Sequence, residues 1–178
     1  WALTPHDDTK NYFLNFKNKH PALDKKGISW IEMNHSGCSQ ESRQEADEVK
    51  DIINELQQND FSLKEVLIIA PYRAQEALLR SVLPKQMSEQ IGTVDRFQGR
   101  EADIVIFSMT SSDGQHLPRD IDFLYSSNRL NVALSRARKK AIILVNRQLL
   151  TVSVNNMEQL KLVNSLCQLK TYSQQELS

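Results

Sequence analysis

Residues 91–110 read IGTVDRFQGREADIVIFSMT, and the reading of this stretch decides the fold. Two β-prone runs, 91–94 and 104–109, flank a polar turn containing Gln98, Gly99, Arg100 and Glu101. The second is the most apolar run in the chain, a continuous block without polar alternation, as expected of a strand covered on both faces. Strands of that kind belong to parallel sheets, whose neighbours are joined by long crossovers. Working outward, residues 66–70 (VLIIA, closed by Pro71), 28–33 and 141–145 add three further strands. Helical patterns lie between them. Ser42 and Glu45 form a capping box ahead of Ala46, Val49, Ile52, Ile53 and Leu56 at helical spacing. A second helix opens near Arg73, with Ala74, Ala77, Leu78 and Val82 as its apolar stripe and Pro84 as its stop. Leu130, Ala133, Leu134 and Ala137 mark a third, and Met157, Leu160, Val163 and Cys167 a terminal one. Alternating strands and helices with right-handed crossovers predict an α/β doubly wound domain, with a mainly parallel sheet and helices on both faces.

At 178 residues with 40% apolar content the chain has the size of one ordinary domain. We divide it into a lead-in segment (1–26), the domain proper (27–172) and a polar tail (173–178), with a long polar loop at 111–122. Basic and acidic residues both total 22, so net charge points to no class of partner. Its distribution is more informative, because residues 125–147 hold Arg129, Arg136, Arg138, Lys139, Lys140 and Arg147 without an acid. Cys38 and Cys167 have neither zinc-site nor disulfide-scaffold spacing, which fits a reducing, cytoplasmic setting. No stretch approaches the roughly 20 apolar residues that span a bilayer, and the first residues do not read as an export signal. The chain begins at Trp1 rather than Met, from which we expect a portion of something longer.

In an open parallel sheet, ligands sit beyond the carboxyl ends of the strands. That directs attention to residues 71–75, to 95–101, and to 128–138, which precede the last strand. On a helix Arg129 and Arg136 would share one face with no acid to neutralise them. Guanidinium groups are permanently charged and hold two phosphate oxygens at once, so such a face suits phosphoryl chemistry. A solvated basic helix is the competing reading.

Three segments taken together, VLIIAPYRAQ (66–75), IGTVDRFQGREADIVIFSMT (91–110) and NRLNVALSRARKKAIILV (128–145), resemble motifs IV, V and VI of the superfamily 1 helicases. The likeness is to the 5′-to-3′ branch that includes the helicase of nonsense-mediated mRNA decay, and it covers residues 36–145. SRQEADEV (42–49) is similar to the helix start that follows motif III in that family. The resemblance implies a RecA-like fold and the second of two motor domains. It makes Arg136 an arginine finger on the γ-phosphate, worth about 10³ to 10⁵ in rate. It places Glu101 on the ribose hydroxyls, Gln98 and Gly99 in a turn that approaches the nucleotide, and Tyr72, Gln75 and Arg129 on the nucleotide side. Thr93 and Thr110 become nucleic-acid contacts. Where some relatives carry a catalytic arginine this chain has Glu76, so that role falls on Arg73 or Arg80. Thr110-Ser111-Ser112 also departs from the family's usual ending of motif V. As plain chemistry, Thr93 is equally a β-branched strand residue, Tyr72 a packing residue, Glu101 a partner for Arg100, and Asn131 a helix-surface residue.

No G-x-x-x-x-G-K-[ST] loop and no acidic Walker B strand end occur, and no metal-ligand set is legible. The resemblance accounts for this by assigning ATP and Mg²⁺ mainly to an upstream RecA-like domain of the same polypeptide. Single-stranded DNA or RNA is then the other partner, and a membrane is not. Two rivals stand beside this reading: a catalytically silent nucleic-acid or protein scaffold of the same fold, and an unrelated doubly wound domain.

Overall fold

A computed structural model of the chain describes residues 20–24, 27–112, 124, 127–154 and 156–175. Most of the lead-in, most of the loop expected at 111–122 and the last residues of the tail lie outside the described residues. The apolar runs become five strands: β1 (Gly27–Met33), β2 (Val66–Ile69), β3 (Ile91–Gly92), β4 (Ala102–Ser108) and β5 (Ala137–Asn146). All neighbours pair in parallel, in the order β1-β5-β4-β2-β3.

Because successive strand residues face opposite sides, the sheet carries two cores. Leu67, Ile69, Val105, Phe107, Ala141 and Ile143 pack on one side with Leu130, Ala133 and Leu134 of α4 (Ser127–Leu134) and Val163, Leu166 and Leu169 of α5 (Met157–Gln175). Val66, Ile68, Ile104, Ile106, Ile142 and Leu144 face the other side, against α1 (Pro21–Asp24), α2 (Arg43–Gln58) and α3 (Arg73–Val82). The sheet is thus covered on both faces, the mainly parallel α/β arrangement of a RecA-like domain. Ala22 and Leu23 of α1, within the expected lead-in, are buried in the second core.

Several local expectations are corrected. The run 91–94 ends as a strand at Gly92 and tightens into a 3-10 turn, Val94–Phe97. A Cβ on Gly92 would lie 2.6 Å from Arg96 Cδ, so the turn folds back against a position with no side chain. The third helix ends at Leu134, and Ala137, expected to be helical, opens β5. In α3 the fully buried residues are Gln75 and Leu79; of the expected stripe, Leu78 and Val82 pack partly buried against the second core and Ala77 is exposed. In α5 it is Val163, Leu166 and Leu169, while Met157 and Leu160 are exposed. α2 follows expectation, with Ala46, Val49, Ile52, Ile53 and Leu56 all fully buried.

Candidate functional site

Parallel strands give the sheet two chemically different rims, and the expected site residues divide between them. At the amino-terminal rim, Gln98 (φ −58°, ψ 125°) and Gly99 (φ 79°) occupy the centre of a type II turn, closed by Arg100 N donating to Phe97 O at 3.0 Å. Nothing lies within 4 Å of a Cβ built on Gly99, so its left-handed backbone and not crowding requires glycine. Glu101 follows, exposed and without a hydrogen-bond or ion-pair partner among the described residues. Arg100 does not neutralise it: that guanidinium lies over the Phe97 ring at 5.3 Å and donates to Glu89 O at 3.1 Å. Arg136 sits beside this turn, since Ala102 N donates to Arg136 O at 2.9 Å.

The expectation that Arg129 and Arg136 share a helix face is corrected. Arg129 is on α4 and lies 3.8 Å from Asp95, whereas Arg136 stands in the two-residue turn between α4 and β5. The other cations of the segment are engaged. Ala102 pairs with Ala137 but Ile104 with Lys140, so β5 has one more residue than β4 over this interval, a β-bulge. The bulge sets Arg138 and Lys139 both opposite Asp103. Arg138 Nε donates to Asp103 Oδ1 at 2.9 Å, Lys139 Nζ to Oδ2 at 2.7 Å, and Arg138 also reaches the Glu65 carboxylate. Burial works against the Asp103 charge, but these two hydrogen bonds and the cations' own fields outweigh it and hold the carboxyl below its ordinary range. Arg147 approaches Glu32 at 3.9 Å, and Lys140 is also partnered. Arg136 differs from all of them: it has no acid partner among the described residues, and its Nε is buried without an acceptor.

At the carboxyl-terminal rim the residues expected to touch ligands are mostly internal. Tyr72 is buried in the first core with Val94, Phe97 and Leu130. Gln75 is fully buried, its amide accepting from Ser42 N at 2.7 Å and donating to Ser42 O and Ser108 Oγ. Thr110 is fully buried as well, at φ 73°, a left-handed conformation that costs a β-branched residue strain. Its N–H donates to Glu45 Oε2 at 2.9 Å. Arg73 and Thr93 remain accessible and open adjacent strand ends, with Ala70 N donating to Gly92 O at 3.1 Å between them. Arg80, the alternative to Arg73, is committed to Glu76 and to the carbonyls of Ser88 and Ile91.

Of the capping box expected at Ser42 and Glu45, only half forms. Ser42 Oγ accepts from Glu45 N at 3.3 Å, but the Glu45 carboxylate turns inward. It accepts from His35 Nε2 at 2.9 Å, from Thr110 N and from Ser108 Oγ. His35 Nδ1 meets Ser112 Oγ at 2.8 Å, and Ser112 Oγ accepts from Cys38 N at 2.9 Å. A Ser-His-Glu relay has the geometry of a hydrolytic triad. Here all three side chains are buried, the hydroxyl already serves an internal amide, and no substrate has access. Sequence reading missed this network, although one signal was present: positions 45, 49, 52 and 56 share a helix face, so a carboxylate stood on the apolar stripe.

The AAA domain family matches residues 4–148 of the chain. The chain is 34% identical over 107 residues to the DNA replication ATP-dependent helicase/nuclease JHS1 of Arabidopsis thaliana, covering 60% of the chain and 8% of that protein. It is 37% identical over 123 residues to the Regulator of nonsense transcripts 1 homolog of Drosophila melanogaster, covering 65% and 10%. It is 43% identical over 96 residues to the Probable RNA helicase armi of Drosophila melanogaster, covering 48% and 8%. The chain thus spans 8% to 10% of the length of these relatives. Among the described residues no helix is long and apolar enough to cross a membrane.

Proposed function

The chain belongs to the superfamily 1 helicases, in their 5′-to-3′ branch, and on that premise we propose that residues 27–172 are the second RecA-like motor of an ATP-driven DNA or RNA helicase. ATP and Mg²⁺ are held mainly by a P-loop and acidic strand end on a preceding domain of the same polypeptide. This domain supplies Arg136, which reaches the γ-phosphate when the cleft between the two domains closes and stabilises charge as the phosphoryl group transfers. Glu101 accepts the ribose hydroxyls, and the Gln98–Gly99 turn brings backbone close to the nucleotide. Hydrolysis reopens the cleft, and each cycle advances one domain along a single strand.

One observation carries this reading. Among the described residues, Arg136 is the cation of its segment left with a buried, acceptor-less Nε, beside Glu101, which has no partner there either. An orphaned buried donor is costly unless something arrives to accept from it. Tyr72, Gln75 and Thr110 are buried, and on this reading they support the strand ends from within. β4 alone, seven residues long, sets the two rims roughly 20 Å apart at the usual strand rise, too far for Arg73 and Arg136 to meet one γ-phosphate. Arg73 therefore joins Thr93 as a backbone-phosphate contact for the strand, a mode of binding that depends on salt more than on sequence. Two free, half-buried thiols suit a reducing compartment such as the cytoplasm. The silent-scaffold reading is not favoured, because its site would not need an uncommitted cation.

The test is strand-stimulated ATP hydrolysis by the full-length protein. Arg136→Ala should lower kcat by about 10³-fold or more with little change in KM for ATP. A kcat within about twofold of the parent would refute the assignment.

A further inference from the structure

We propose that Asp103 is a positioning residue for Arg136, acting through the β-bulge at the start of β5. The inference rests on the reading of Arg136 as the group that meets the γ-phosphate. Arg136, Arg138 and Lys139 are three cations within four residues. Without a counter-charge the latter two would repel Arg136 and compete with it for any anion at this rim. Asp103 engages both, one carboxylate oxygen for each, at 2.9 and 2.7 Å, and Glu65 takes a further bond from Arg138. The Arg136 main chain is bracketed by the same device. Its carbonyl accepts from Ala102 N, the residue before Asp103, while two and three residues later the chain is clamped to the Asp103 side chain. Backbone on one side and carboxylate on the other fix where the guanidinium starts and which way it leaves the turn.

Stability alone does not ask for this arrangement. Ion pairs whose charged ends reach solvent contribute little to folding, and although the Asp103 side chain is only 12% exposed, its partners Arg138 and Lys139 are 46% and 28% exposed. A bulge re-aims the side chains beside it and is over-represented next to active sites. Here it turns two cations to one acid and leaves their neighbour uncommitted.

The experiment uses the full-length protein and compares Asp103→Ala, Asp103→Glu, Arg136→Ala and the double variant Asp103→Ala/Arg136→Ala in strand-stimulated ATP hydrolysis. A misplaced catalytic group loses about 100-fold. Asp103→Ala is therefore expected to lower kcat by about that factor while KM for ATP stays within a few-fold. Asp103→Glu, which keeps the charge, should recover most of the loss. The double variant should be no slower than Arg136→Ala alone, since a residue that acts through another adds nothing once that other is gone. If Arg136→Ala abolishes turnover while Asp103→Ala is unaffected, or if the two losses multiply, the positioning role is overturned and the motor reading stands. If Arg136→Ala is itself unaffected, the motor reading fails and this inference fails with it. Should Asp103→Ala not fold, Arg138→Gln/Lys139→Gln opens the same clamp from the other strand, and an undiminished kcat there overturns the proposal.

Discussion

Replacing Glu45 by alanine should destabilise the protein far more than an exposed helix-start glutamate would. The carboxylate is fully buried and accepts from His35 Nε2, Ser108 Oγ and Thr110 N. On removal the Ser108 hydroxyl can turn toward Thr110 Oγ1, 3.4 Å away. The Thr110 N–H has no such alternative, and whichever ring nitrogen of His35 carries the proton, its Nε2 loses its partner. Two buried groups stranded at about 1–3 kcal/mol each give a loss near ~4 kcal/mol. For a domain of this size that is a fall in Tm of roughly 8–16 °C, read by far-UV circular dichroism with a urea titration alongside. Glu45→Gln should cost less, about 1–2 kcal/mol. Its amide oxygen can still serve Thr110, and His35 can change tautomer to accept from the new NH₂ and donate to Ser112. A Glu45→Ala protein melting within about 2 °C of the parent would mean that the network contributes nothing and the reasoning is wrong.

Three further outcomes are expected. Lowering the pH should weaken the fold through Asp103 and Glu32. The Glu32 carboxyl is held down first by its hydrogen bond from Lys170, and that of Asp103 by Lys139 and Arg138 against the opposing effect of burial. A carboxyl depressed in the folded state contributes stability above its unfolded pKa of about 4 and loses that contribution as pH falls through the folded value. Urea midpoints should therefore drop below about pH 4, and less so in Asp103→Asn; a midpoint rising on acidification contradicts this. In α5, Leu166→Ala should cost about 2–5 kcal/mol by urea unfolding and Leu160→Ala under about 1 kcal/mol; the reverse order would place the wrong face inward. Arg73→Ala should weaken single-strand binding and reduce the slope of log affinity against log salt by about 0.7, while leaving KM for ATP alone. Lost turnover with binding intact would instead return Arg73 to the nucleotide.

The architecture was legible wherever an apolar run had no other physical use. Residues 66–69 carry four contiguous apolar residues and 104–107 four more, runs that suit burial on both faces, and both form interior strands of the sheet. Helix α2 was equally plain, because its spacing and its Ser42 cap agree. Two kinds of error have identifiable causes. β5 starts four residues earlier than expected because Arg138, Lys139 and Lys140 look like a solvated face; what makes them strand residues is the bulge and an acid on β4 that local pattern cannot bring alongside. Likewise Thr110 follows a strand and so suggests a surface contact. Its burial depends on a left-handed turn and on residues 35–39 arriving from a distant part of the chain to cover it. At the candidate site, the motif residues Gln98, Gly99, Glu101 and Arg136 could be named from spacing and resemblance. That Arg136 is the cation of its segment without an acid partner among the described residues could not, since the partners of Arg129, Arg138, Lys139 and Arg147 are all long-range.

β4 links the accessible Glu101, just before it, to Thr110, two residues beyond it, and is paired without interruption from Ile104 onward. Such a strand behaves as a strut. Load applied at one end arrives at the other as translation of the whole body and not as local flexing, because the far end has no slack hydroxyl or amide to absorb it. Under the motor reading proposed above, the compliance of cleft closure lies outside this sheet.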